Sequence, residues 1–130
     1  MLDIPCGSGA FTARLLEAGY ETTACDIAYH EAVPRELFQQ ANMNEPLPFD
    51  DATFDAIVSI EGIEHLERPY TFIRECHRIL KPGAHLIITT PNITSLRSRW
   101  RWFLTGFHNK AKYPLDETNS QPRHHITMLS

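Results

Sequence analysis

The chain's 130 residues, 42% hydrophobic and 22% charged, suffice for one globular domain and exclude a disordered chain or a coiled coil. No apolar run approaches the roughly 18 residues of a membrane span, no signal-peptide pattern opens the chain, and three cysteines without metal-site spacing (Cys6, Cys25, Cys76) read as reduced thiols of a cytoplasmic protein, with no metal site. The net charge of −4 is uneven: 14 acidic and 6 basic side chains through residue 90, then 2 and 6, and a negative body argues against a nucleic-acid partner.

In chain order, the spacing predicts a first strand over 1–4 and a helix from about Gly9, with Phe11, Leu15 and Leu16 at helical spacing and Gly19 as its cap. A second strand covers 22–27. The stretch 28–36, interrupted by Pro34, is too short for a full crossover helix and reads as a turn or a single helical turn. A third strand over 37–43 precedes a loop over 44–53, punctuated by Pro46, Pro48 and Asp50-Asp51. A buried strand over 54–60 follows. Pro69 opens a second helix carrying Tyr70, Ile73, Ile79 and Leu80. Lys81-Pro82-Gly83 forms a turn that ends this helix and launches a fifth strand over 85–90. Strands alternating with helices predict a mainly parallel sheet with right-handed crossovers.

The opening run Leu2-Asp3-Ile4-Pro5-Cys6-Gly7-Ser8-Gly9, with Asp26 at the end of the next strand, has the layout of a nucleotide-binding βαβ unit. Glycines let a ligand approach bare backbone, and the carboxylate takes ribose hydroxyls. Thr12 occupies the place of the third glycine in a nicotinamide fingerprint, which weakens an oxidoreductase reading.

Asp3-x-x-Cys6-Gly7-Ser8-Gly9, Asp26, Asn42 with Leu47-Pro48-Phe49, Phe54-Asp55, Glu61-Gly62-Ile63-Glu64-His65-Leu66, Arg78-Ile79-Leu80-Lys81-Pro82-Gly83 and Thr90-Pro91-Asn92 occur in that order. Together they resemble the class I S-adenosylmethionine-dependent methyltransferases over about residues 1–107. The resemblance implies a Rossmann-like α/β fold of three α/β/α layers, strand order 3-2-1-4-5, with the family's last two strands missing. It implies a single domain over 1–130, truncated at both ends, with a core over 1–92 and a basic helix and tail over 93–130. His124-His125-Ile126-Thr127 resembles the short segment that precedes the missing strands. Strand five would then be an exposed edge, able to pair with a second copy.

The implied cofactor is S-adenosyl-L-methionine. Its implied contacts are Asp3, Cys6, Gly7, Ser8 and Gly9 around the methionine part, Asp26 at the ribose, Asn42 and Met43 at adenine, Ile60 and Glu61 over the cofactor, and Ile27 next to Asp26. Asp3 acts in the family by orienting the loop. Pro5 departs from the glycine common in relatives and leaves that position only its carbonyl.

Methyl transfer from a sulfonium leaves a neutral thioether, so the protein mainly aligns the nucleophile and excludes water. His65, following strand four, is the candidate general base, while Glu64 and His65 could instead orient the loop. The expected reaction is O-methylation of a small-molecule or lipid-linked acceptor, with N- and C-methylation equally compatible. The alternative is a noncatalytic cofactor-binding or interaction module. Over 95–107, Leu96, Trp100, Phe103, Leu104 and Phe107 share one helical face while Arg97, Arg99 and Arg101 lie largely off it. This helix either packs on strand five or serves as a substrate lid, or it makes peripheral contact with an anionic membrane.

Overall fold

The computed structural model of the chain describes residues 1–92 and 95–105. Five strands form one sheet: β1 (Leu2–Asp3), β2 (Thr23–Asp26), β3 (Phe38–Gln40), β4 (Phe54–Ile60) and β5 (Leu80–Thr89), in the order β3-β2-β1-β4-β5. Every neighbouring pair is parallel. The first three strands are shorter than their apolar runs because the chain peels away to build loops while keeping single bonds to the sheet. Ile4 N–H still donates to Val58, and Ala41 N–H to Asp26, beyond the paired residues.

Helix α1 (Ala10–Glu17) links β1 to β2. It ends as its sequence predicts: Gly19 is left-handed at φ 85°, and the Gly19 and Tyr20 N–H groups donate back to Leu16 and Leu15, which satisfies the last free carbonyls. Helix α2 (Pro69–Ile79) links β4 to β5, with Pro69 in its first turn. Its buried stripe is Phe72, Cys76 and Ile79, at i, i+4 and i+7. Tyr70 and Ile73, which the sequence also assigns to this helix, are exposed. Tyr70 is two residues from Phe72, hence about 200° round the helix and on the opposite side.

The strands sort their side chains between two faces of the sheet. Leu2, Ile4, Cys25 and Ile57 join Phe72, Cys76 and Ile79 in the larger core under α2. Ala24, Cys6 and Val33 make a much smaller cluster on the α1 side. That asymmetry follows from the β2–β3 connection, which contains only a single 3₁₀ turn (Arg35–Leu37) where a crossover helix would add cover.

Two expectations are corrected at the far edge. Lys81-Pro82-Gly83 does not separate helix from strand, because β5 already begins at Leu80. The extra residues bulge out of the ladder between the Phe54–Leu80 and Ala56–His85 pairs, and Gly83 takes the left-handed φ of 80° that this requires. Helix α3 (Leu96–Thr105) does form, but it does not lay its stripe on β5. Leu96, Trp100, Phe103 and Leu104 are 61–75% exposed, and Ile87 on β5 is 50% exposed. Phe107 and the 124–127 segment lie outside the described residues.

Candidate functional site

Going out from the sheet centre, β1 connects toward β2 on one side and β4 toward β5 on the other. Such a reversal opens a crevice at the carboxyl ends of the strands, where ligands bind in open α/β sheets. The loop over 5–9, Asp26 and Glu61 all lie at that edge, one at the end of each central strand.

The loop is tied down from both neighbours. Cys6 N–H donates to the Cys25 carbonyl at 2.9 Å, and Gly9 N–H returns to the Cys6 carbonyl at 2.9 Å. Gly7, at φ 51°, presents its N–H to Asp26 Oδ2 at 2.8 Å. The other carboxylate oxygen accepts from Ile27 N–H at 2.7 Å. Asp26 is thus held by two backbone donors, and each carboxylate oxygen keeps further acceptor capacity for a hydroxyl. A Cβ on Gly7 would meet nothing within 4 Å, whereas one on Gly9 would come 2.5 Å from Val33 Cγ2. Gly7 therefore leaves open space beside exposed backbone, and Gly9 is needed for packing.

Gly62 is a residue that sequence reasoning passed over. A Cβ there would overlap the Pro5 ring and lie 3.2 Å from Ser59 Oγ. The turn after β4 therefore rests directly against the cofactor loop. A glycine just beyond a strand end is a sequence signal for such close backbone approach. Beside it, Glu61 adopts a left-handed φ of 48°, held by its N–H donating to the Thr89 carbonyl at 3.0 Å. A non-glycine residue held this way at a strand end is typical of functional turns.

The structure brings together Gly7, Ser8, Asp26, Ile27, Ile60 and Glu61 as accessible groups at the crevice. It places others inward. Asp3 is 1% exposed and accepts from Thr12 Oγ1 at 2.6 Å, tying β1 to α1 beneath the loop. Burial pushes its carboxyl above the ordinary 3.8. Thr12, read in the sequence only as a missing glycine, is the partner that makes a carboxylate tolerable there. Met43 is buried in the α2-side core. The Cys6 side chain is buried, and desolvation pushes its thiol up to about 11, leaving backbone as its offering. Asn42 folds into its own turn, accepting from Asn44 N–H at 3.0 Å and donating to Glu45 at 3.0 Å.

The candidate base, His65, is half-buried in a 3₁₀ turn (Ile63–His65), its N–H bonded to the Gly62 carbonyl at 3.1 Å. Its neighbour Glu64 points inward at 2% exposure. Glu64 Oε2 accepts from Thr90 Oγ1 at 3.4 Å, and Oε1 has no hydrogen-bond partner among the described residues. Glu64 thereby links the turn after β4 to the end of β5. Among the described residues, no group of three or more His, Cys, Asp or Glu is arranged to hold a metal ion. A groove of about 520 Å³ lined by Leu47, Pro48, Phe49, Asp50, Thr53 and Arg78 lies at the opposite edge of the sheet, before β4.

Residues 2–88 match the family model described as a methyltransferase domain. The chain belongs to the class I S-adenosylmethionine-dependent methyltransferases. Among its relatives, it is 30% identical over 102 residues to the ubiquinone biosynthesis O-methyltransferase of Alkalilimnicola ehrlichii, covering 71% of this chain and 41% of that one. It is 37% identical over 100 residues to a Mycobacterium tuberculosis protein named as a probable S-adenosylmethionine-dependent methyltransferase, covering 71% and 35%. A crystal structure of an S-adenosylmethionine-dependent methyltransferase from Archaeoglobus fulgidus superimposes with a TM-score of 0.64 at 26% identity, covering 90% of this chain and 55% of that one. The chain thus spans about two fifths of the length of these curated relatives.

The methyltransferase fold accounts for the sheet order, and S-adenosylmethionine is the cofactor that goes with it. The crevice fits that molecule: uncovered backbone at Gly7, a carboxylate fixed at the end of β2, and exposed apolar side chains at Ile27 and Ile60.

Proposed function

We propose that the chain carries S-adenosylmethionine-dependent methyl transfer to a hydroxyl of a small-molecule or lipid-linked acceptor. The observation that carries this reading is the Asp26 carboxylate, clamped by the Gly7 and Ile27 amides at the open end of the sheet. The name of the Alkalilimnicola relative supports O-methylation among the possible transfers.

In this reading the loop over 6–8 holds the cofactor's methionine part by backbone, and Asp26 accepts the ribose hydroxyls. Ile27 lies along the base, and Asn42 meets its edge through the free lone pair of its carbonyl. The bound cofactor supplies an activated methyl group, so the protein's task is alignment and exclusion of water. Ile60 and Glu61 close the crevice beside it. His65 removes the acceptor's hydroxyl proton as transfer proceeds, and Glu64, anchored to Thr90, positions the turn that carries His65.

Calorimetric titration with S-adenosylmethionine and S-adenosylhomocysteine tests the site. Asp26→Ala is expected to weaken both by about ten- to a hundredfold, the cost of losing charge-assisted hydrogen bonds. A folded chain that binds neither ligand overturns the assignment. His65→Ala is expected to keep cofactor affinity while turnover falls about 10²- to 10⁴-fold. Unchanged turnover removes His65 from the chemistry, and binding without any turnover identifies a noncatalytic module.

A further inference from the structure

Helix α3 exposes a surface that the methyl-transfer reading does not use. Leu96, Trp100, Phe103 and Leu104 stand 61–75% exposed, and they follow one another at i, i+4, i+7 and i+8. Together they cover about 100° of the helix circumference. Arg99 lies about 40° beyond one margin of this stripe and Arg101 about 60° beyond the other. From residue 91 to residue 115 the sequence holds Arg97, Arg99, Arg101, Lys110 and Lys112 and no acidic residue, although the preceding 90 residues carry 14 acidic and 6 basic side chains.

We propose that α3 docks in the surface of an anionic phospholipid bilayer, independently of the methyl-transfer reading. A large apolar stripe with cations on both margins matches a layer whose acyl region lies below a plane of phosphates. Trp, Phe and Leu enter the layer, and the long arginine stems keep their guanidinium groups at headgroup level. A purely apolar partner would leave the exposed Arg99 without a counterpart. A single cation-binding protein face would leave the apolar stripe wet. Ten residues span about 15 Å, half a bilayer core, and among the described residues no helix is long and apolar enough to cross a membrane. With its apolar stripe in the layer and its arginines at the headgroups, the helix lies in the interface plane. It follows β5 in the chain, and the end of β5 touches the candidate site through Thr90 and Glu64. Docking there would bring the crevice close to the layer in which a lipid-linked acceptor resides.

Both tryptophans of the chain, Trp100 and Trp102, lie in α3, so intrinsic tryptophan fluorescence reports on this helix alone. The full chain is titrated with vesicles of phosphatidylcholine, with or without an equal share of phosphatidylglycerol. The expected result is a blue-shifted emission, quenched by brominated lipid, with affinity on the order of tenfold higher for the anionic vesicles and lost in high salt. Trp100→Ala with Phe103→Ala is expected to abolish binding. Arg99→Glu is expected to lower the anionic preference. Both variants should retain the native thermal midpoint and S-adenosylmethionine affinity, since Trp100, Phe103 and Arg99 are exposed and lie outside the core and the cofactor crevice. No spectral change with anionic vesicles overturns the proposal. So does a blue shift that needs only higher protein concentration and no lipid, because that places a second copy on the stripe.

Discussion

Asp3 shows how a single residue's role depends on what surrounds it. Its sequence position, three residues before Cys6, fits a ligand-loop carboxylate, but the structure pairs it with Thr12 in the interior. Its pKa is raised above 3.8, first by desolvation. A raised carboxyl pKa in the fold means that stability is fully present below the unfolded value and declines as pH climbs through the folded one. Asp3→Asn keeps an acceptor for Thr12 and removes the buried charge. Its urea midpoint is therefore expected to exceed that of the native chain at pH 7, with the advantage vanishing as pH falls toward 3.8. An advantage independent of pH contradicts this. Gly62→Ala tests the opposite kind of site, where space and not charge is limiting. The added methyl must displace the Pro5 ring, which is expected to cost about 1–3 kcal/mol in denaturant unfolding and to lower cofactor affinity with it. Native affinity in the variant would show that Pro5 moves freely.

At the scale of elements, α2 does more than cover the sheet. Its last turn carries Arg78, which donates to the Phe49 and Leu47 carbonyls at 2.8 and 3.0 Å while pairing with Asp51 and Glu75. Glu75 in turn accepts from Leu47 N–H at 2.9 Å, and Arg78 beside it holds its carboxyl below the usual range. This clamp fastens the loop over 44–53 and forms part of the wall of the groove at that edge. Arg78→Met is expected to release the loop. Hydrogen exchange at the Leu47 amide should quicken about tenfold or more, while the amides of β1 keep their protection. Equal exchange in the two proteins would mean the loop is held by Leu47 and Phe49 packing alone. The elements themselves were legible where periodicity and punctuation agreed: α1 between its two glycines, β4, and the start of α2 at Pro69. They were misread where one residue served two patterns. Lys81-Pro82-Gly83 has turn composition, yet sheet pairing continues past it because a bulge absorbs the extra residues.

Over the whole molecule, cover is distributed unevenly. The α2 face of the sheet is thick, the α1 face thin, and β5 has one face on α2 through Leu86 and Ile88 while Ile87 looks outward. As the last strand of the described sheet, β5 bears an apolar run and has no strand on its outer edge among the described residues, which favours association. Sedimentation velocity is expected to show concentration-dependent self-association of the native chain, reduced by Ile87→Lys. A sedimentation coefficient that is constant with concentration contradicts this.

The sequence by itself determined the α/β class, the parallel sheet, the family and the positions of Gly7 and Asp26, because these depend on local spacing: apolar periodicity, glycine at obligatory turns, and a carboxylate at a strand end. It also disclosed the amphipathic helix that the structure describes as α3. Only the tertiary structure decided which side of each element faces inward. It turned Asp3 and Met43 into the interior, chose Phe72 over Tyr70, set Gly62 against Pro5, and left the stripe of α3 uncovered. Those outcomes depend on contacts between residues far apart in the chain, and no local pattern carries that information.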